Sequence, residues 1–102
     1  MAKKPEYNYK SLQTEYGKMP PQAVDLEEAI LGSLMLEKDA FITVSDFLKP
    51  ECFYKEAHQK IYRGIQNLSL NNEPVDILTV SEEMKRLGEL EEIGGYYYLA
   101  QL

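Results

Sequence analysis

Pro20-Pro21-Gln22-Ala23-Val24-Asp25-Leu26-Glu27-Glu28-Ala29-Ile30-Leu31-Gly32-Ser33-Leu34-Met35-Leu36 joins two prolines to a strongly apolar run, and this stretch decides how the 102-residue chain is organised. Proline lacks a backbone donor and biases the residue before it away from helix, so a helix is predicted to begin just after the pair. Asp25, Glu27 and Glu28 place negative charge in or near the first turn, where the helix dipole favours it. From Ala29 to Leu36 only the small residues Gly32 and Ser33 interrupt the apolar series, a pattern that suits a helix packed on most of its sides. The stretch reads as the central helix of a small bundle.

Working outward, residues 1–19 are polar, include Tyr7, Tyr9 and Tyr16, and show no period of two or of 3.6. They read as a flexible arm, with docking through those tyrosines as the sharper alternative. After the first helix, Asp39 is placed as the N-cap of a second, in which Phe41, Val44, Phe47 and Leu48 recur at spacings of three and four and Lys49-Pro50 forms the stop. Pro50 then opens a short turn carrying Cys52 and Phe53. A longer helix follows, with Tyr54, Ala57, Ile61, Ile65 and Leu68 on one face and Lys55, Glu56, Gln59, Lys60, Arg63 and Gln66 on the other.

Asn71-Asn72-Glu73-Pro74 has the residues of a turn. In the next helix Thr79 and Glu82 have capping-box spacing, Val80, Met84 and Leu87 make the buried stripe, and Gly88 suits the left-handed position after the last turn. Glu89 to Ile93 is given at most one further turn before Gly94-Gly95, and Tyr96 to Leu102 reads as the start of another helix. The expected fold class is therefore all-α, a small bundle of about five to six helices.

The chain is long enough for one small domain with an adequate core. Apolar residues at 44% and charged residues at 27% are ordinary for a soluble globular protein. Charge is distributed unevenly: residues 1–19 carry a balance of +2, whereas residues 20–102 carry seven Lys/Arg against fifteen Asp/Glu, a balance of −8. A domain this acidic is poorly suited to holding a phosphate backbone by itself, which points to a protein partner with a basic face. The lone Cys52 allows no internal disulfide, and neither a signal peptide nor an apolar run of membrane-spanning length is present, so a cytosolic protein without membrane attachment is expected.

No phosphate-cradling loop can be assembled from the six glycines, since Gly17-Lys18-Met19 lacks the preceding glycine and the hydroxyl that magnesium needs. With a single histidine and a single cysteine, a zinc site of the usual kind is ruled out. His58 lies one helical turn from both Tyr54 and Tyr62 beside an apolar stripe, and reads as a packed histidine with one hydrogen bond. The pairs Glu27-Glu28, Glu82-Glu83 and Glu91-Glu92 invite an acid/base reading, but helical neighbours point about 100° apart, and capping and solubility account for all three. No Gly-x-Ser-x-Gly elbow is present.

Three later segments accompany the opening stretch: Phe53-Tyr54-Lys55-Glu56-Ala57-His58-Gln59-Lys60-Ile61-Tyr62, Glu73-Pro74-Val75-Asp76-Ile77-Leu78-Thr79-Val80, and Leu90-Glu91-Glu92-Ile93-Gly94-Gly95-Tyr96-Tyr97-Tyr98-Leu99. In this order and at this spacing, the four closely resemble the N-terminal domain of the bacterial replicative DNA helicases, the DnaB family, over Pro20 to Leu102. The resemblance implies a regulatory and structural module rather than a catalyst. In that family the N-terminal domains form a collar over a hexameric motor, commonly as a trimer of dimers, on which the helicase-binding domain of primase docks. It implies two regions here, a variable arm over 1–19 and a collar domain over 20–102, with the chain stopping before a C-terminal helical hairpin that pairs subunits. The linker and the motor, with its ATP and Mg, would lie beyond that hairpin, and DNA would be met only through the full-length hexamer.

Within that frame no catalytic, cofactor or metal residue is expected, and the partners implied are primase and other helicase subunits. Tyr96-Tyr97-Tyr98 is more aromatic than the resemblance requires, and three consecutive helical residues cannot all face one core. Tyrosine is favoured at interfaces because it offers a large rigid area and a polar tip. Tyr98 and Asp25 are accordingly nominated as partner-contact positions, against the alternative that the rings pack within the domain. A purely structural assembly element and weak single-strand DNA binding remain the rival functions, the latter opposed by Glu89, Glu91 and Glu92 nearby.

Overall fold

The computed structural model describes residues 21–102, so the arm expected over 1–19 lies outside the described residues. The described chain runs through α1 (Pro21–Leu36), α2 (Ala40–Val44), a 3₁₀ turn (Pro50–Cys52), α3 (Glu56–Leu70), α4 (Ile77–Arg86) and α5 (Gly95–Gln101), and no strand occurs among the described residues. All-α architecture with five α-helices agrees with the expectation from sequence.

The helix at the centre is α3, not α1. It packs against α1, the 3₁₀ turn and α4, and it buries His58, Ile61, Tyr62, Gly64, Ile65 and Leu68. Among the described side chains of α1, Glu27, Leu31, Leu34 and Met35 are the buried ones, at the i, i+4, i+7 and i+8 spacing of a single stripe, while Leu26 is 58% and Leu36 82% exposed. Gly32 is small for a local reason: a Cβ there would stand 2.7 Å from the Leu102 carbonyl carbon. Helix α1 also begins at Pro21 itself, a first-position proline, so Asp25, Glu27 and Glu28 fall beyond its first turn and the dipole account of these acids does not hold.

Other element ends were shifted by packing. Helix α2 has Asp39 at its N-cap position without a side-chain cap, and it stops at Val44 after five residues, leaving Phe47 69% exposed. Tyr54 precedes α3 rather than riding on it. The capping box of α4 sits one turn earlier than the Thr79/Glu82 spacing suggested: the Thr79 N–H donates to Asp76 Oδ1 (2.8 Å) and the Asp76 N–H to Thr79 Oγ1 (3.0 Å). Val80 and Met84 are fully buried, but Leu87 is the C-cap residue and stays 39% exposed.

Two helices end in the same way. Gly88 (φ 74°) follows the C-cap of α4, with the Glu89 N–H donating to the Met84 carbonyl and the Gly88 N–H to that of Lys85. Asn72 (φ 57°) plays the same part after α3, with the Glu73 and Asn72 N–H groups donating to the carbonyls of Leu68 and Ser69. Between the helices the aromatic rings of Phe41, Phe53 and Tyr62 cluster at centroid distances of 5.7 Å (Phe41–Tyr62) and 5.3 Å (Phe53–Tyr62). The Tyr62 hydroxyl donates to the Leu48 carbonyl at 2.6 Å, which ties the segment after α2 onto α3.

Candidate functional site

The polar centre of the domain lies where α1, the start of α3 and α5 converge. Glu27 sits on the apolar stripe of α1 with no solvent exposure. A carboxylate can occupy such a position only with its oxygens satisfied. Its Oε2 accepts the Tyr54 N–H at 2.6 Å, its Oε1 accepts the Lys55 N–H at 3.4 Å, and Oε1 also lies 2.6 Å from His58 Nδ1. Lys55, the N-cap residue of α3, provides no side-chain cap of its own. Glu27 therefore supplies from a neighbouring helix the negative charge and acceptors that the N-terminus of α3 requires.

From His58 the chain of contacts continues outward. Its Nε2 lies 2.6 Å from the Tyr98 hydroxyl, and the two rings stack at 12° with centroids 5.9 Å apart. The Tyr98 hydroxyl donates to Glu28 Oε2 at 2.9 Å and accepts from Lys55 Nζ at 3.1 Å, and the same ammonium lies 4.6 Å from the centre of the Tyr98 ring. Phe53 closes the inner side with an edge-on contact to the imidazole at 6.4 Å. Burial, together with the Glu28 carboxylate, pushes the Tyr98 hydroxyl above the usual tyrosine range. A phenol whose ionisation is opposed in this way is not an activated nucleophile or acid, so the Glu27–His58–Tyr98 series acts as a tie between helices.

The expectation of one hydrogen bond for His58 is thus corrected to contacts at both ring nitrogens, and the solubility account of Glu27-Glu28 fails for Glu27. A signal for this was present, since Glu27 shares a helical face with Leu31, Leu34 and Met35. The Glu82-Glu83 pair is also split: Glu83 is buried, accepts from Arg86 Nε (3.0 Å), Arg86 guanidinium nitrogen (2.6 Å) and Asn67 Nδ2 (3.2 Å), and its carboxyl is held below the usual range chiefly by Arg86. Glu92 meets Lys60 in an ion pair at the surface. Among the described residues no group of three or more His, Cys, Asp or Glu could hold a metal ion, and no helix is long and apolar enough to cross a membrane.

Of the nominated contact positions, Asp25 is exposed on α1 and Tyr98 is half-buried in the network just described. Glu28 links them, being bonded to Tyr98 and one turn from Asp25 on the same face of α1. Tyr96 and Tyr97 are 53% and 74% exposed, as three consecutive helical rings require. Elsewhere α1, α4 and α5 border a groove of about 630 Å³, whose apolar walls include Met35, Leu36, Ile77, Leu78, Tyr96 and Leu99.

The family model of the DnaB-like helicase N-terminal domain matches residues 19–102. The chain belongs to this family. The DnaB-type domain is 46% identical over 92 residues to the replicative DNA helicase DnaB of Rhodothermus marinus, covering 90% of this chain and 10% of that protein. It is 42% identical over 85 residues to the replicative DNA helicase DnaB of Geobacillus stearothermophilus, covering 83% of this chain and 19% of that protein. The chain thus spans less than a fifth of the length of either relative. The crystal structure of the N-terminal domain of DnaB helicase from Mycobacterium tuberculosis superposes with a TM-score of 0.76 at 42% identity, over 81% of this chain and 60% of that one. The DnaB-type N-terminal fold is therefore common to both chains.

Proposed function

We propose that this domain serves a replicative DNA helicase as its collar module, supporting assembly of a hexamer and docking the helicase-binding domain of primase. The observation that carries the reading is the Tyr98–Glu28 hydrogen bond, which joins the tyrosine-bearing helix to the acidic face of α1. Asp25 and Tyr98 then border one surface, acidic and aromatic in character, of the kind a basic protein face would meet. ATP and Mg belong to the motor of the whole helicase, and unwinding is that motor's activity. DNA is reached through the hexamer, since a balance of −8 over residues 20–102 disfavours contact by this domain alone.

Calorimetric titration with the C-terminal domain of primase from the same organism tests this. Saturable binding supports a docking surface within residues 20–102. Absence of binding, together with concentration-dependent self-association, would leave an assembly element without its own primase surface. That second reading is favoured by the apolar groove and the exposed Leu36 and Leu78 beside it.

A further inference from the structure

The protons of the buried network can be counted. Three contacts at hydrogen-bond distance need a proton each: Glu27 Oε1 to His58 Nδ1 (2.6 Å), His58 Nε2 to the Tyr98 hydroxyl oxygen (2.6 Å), and that oxygen to Glu28 Oε2 (2.9 Å). The Lys55 contact to the same oxygen brings its own proton from the ammonium. Tyr98 has one proton and can serve only one of its two contacts, to His58 or to Glu28. Two carboxylates and a neutral imidazole would supply one more, leaving one of the three contacts with two facing lone pairs. Ionising Tyr98 would not help, because its oxygen would then face the Glu28 carboxylate.

The missing proton must sit on His58, on Glu27 or on Glu28. Imidazole is the strongest base of the three. Glu27 adds a second reason, since it is fully buried, already accepts two backbone N–H groups, and among the described residues has His58 as its one ionisable neighbour within bonding distance. With a neutral imidazole, that buried carboxylate would have no compensating charge. The groups that face the imidazole and its partners are Glu27 and Glu28 from α1, Lys55 from the segment before α3, and Tyr98 from α5.

We infer that His58 carries protons on both ring nitrogens and is a charged clamp that positions Tyr98, donating to Glu27 on one side and to the Tyr98 oxygen on the other. The Tyr98 proton is thereby directed to Glu28, and the four ionised groups Glu27, Glu28, Lys55 and His58 balance to zero. Three helices are bound through one ring. A partner meeting this surface encounters the Tyr98 ring with its hydroxyl already committed, a consequence that depends on the docking role proposed above; the clamp itself does not.

His58 is the only histidine, so its ring nitrogens give one unambiguous pair of ¹⁵N signals in the intact 102-residue protein. At pH 7.5 the expected result is two similar shifts of the imidazolium type. In Tyr98→Phe, which removes the acceptor at Nε2 and leaves Glu27 in place, the Nε2 signal should shift while Nδ1 keeps its protonated-type shift toward Glu27. Far-ultraviolet circular dichroism checks that the variant is folded; if it is not, the wild-type spectrum decides alone. Widely separated shifts in the wild-type protein would overturn the inference, as would a folded Tyr98→Phe variant whose Nε2 signal does not move. Primase is absent from both measurements, so failure of the docking reading leaves the outcome unaffected.

Discussion

Glu27 of α1 and His58 of α3 meet at 2.6 Å between Oε1 and Nδ1, with neither side chain reached by solvent. The same carboxylate caps the backbone at the entrance to the central helix, and the same imidazole reaches α5.

Replacing Glu27 with Ala should therefore cost far more than the average surface change. Two backbone N–H groups and the imidazole would lose their acceptor in a site closed to water, and breaking a buried pair by removing one member costs about 3–5 kcal/mol. Urea unfolding followed by circular dichroism measures this; a loss below about 1 kcal/mol would show that the site admits water or rearranges freely.

Gly88 offers a purely conformational test. It holds φ at 74° with nothing within 4 Å of where a Cβ would stand, so any penalty on substitution comes from the backbone alone. Gly88→Ala is expected to lower stability by about 1–2 kcal/mol, the usual left-handed cost for an L-residue. Gly88→Asn should lose less, since asparagine tolerates that region and already serves at the matching position, Asn72. Equal losses for the two variants would argue against backbone strain as the cause.

Alkaline pH should expose the burial of Tyr62, whose hydroxyl is pushed up to about 12 chiefly by desolvation. A folded-state value above the unfolded one means that the stabilisation is fully present below about pH 10 and is lost as pH rises from there toward the folded value. Subtracting the ultraviolet pH titration of Tyr62→Phe from that of the wild-type protein should leave one phenolate with its midpoint at about pH 12. A midpoint near the ordinary tyrosine value would mean that the ring is not held in the core.

Tyr98→Ala should weaken binding to the helicase-binding domain of primase while the helical content is kept, because the fully buried Leu99 still holds α5 in the core once the Tyr98 tie is lost. The loss expected for truncating an aromatic interface anchor is about 2 kcal/mol, or roughly thirtyfold in Kd. Unchanged affinity in a folded variant would remove Tyr98 from the contact surface.

Much of the fold was legible because its signals are local. Gly88 after α4, the Asn71-Asn72 turn and Pro50 opening the 3₁₀ turn each act through the backbone of their own few residues and appear where expected, while Gly94 caps α5 and Gly95 is its first residue. The errors share a different character. Phe47 and Leu87 follow the helical period yet stay exposed, because whether an apolar residue on the correct face is covered depends on which element lies opposite.

The sequence by itself determined an all-helical domain of the DnaB type and most of the punctuation of its helices, since periodicity, proline and glycine act over a turn or two of chain. Only the tertiary structure decided that α3 and not α1 is central, and that Glu27, His58 and Tyr98, separated by 31 and 40 residues, form one buried network. A carboxylate on an apolar stripe looks the same in sequence whether it faces solvent or a helix N-terminus. What distinguishes the two cases is the desolvation cost and its compensation by donors from distant segments, and those donors come together only when the chain has folded.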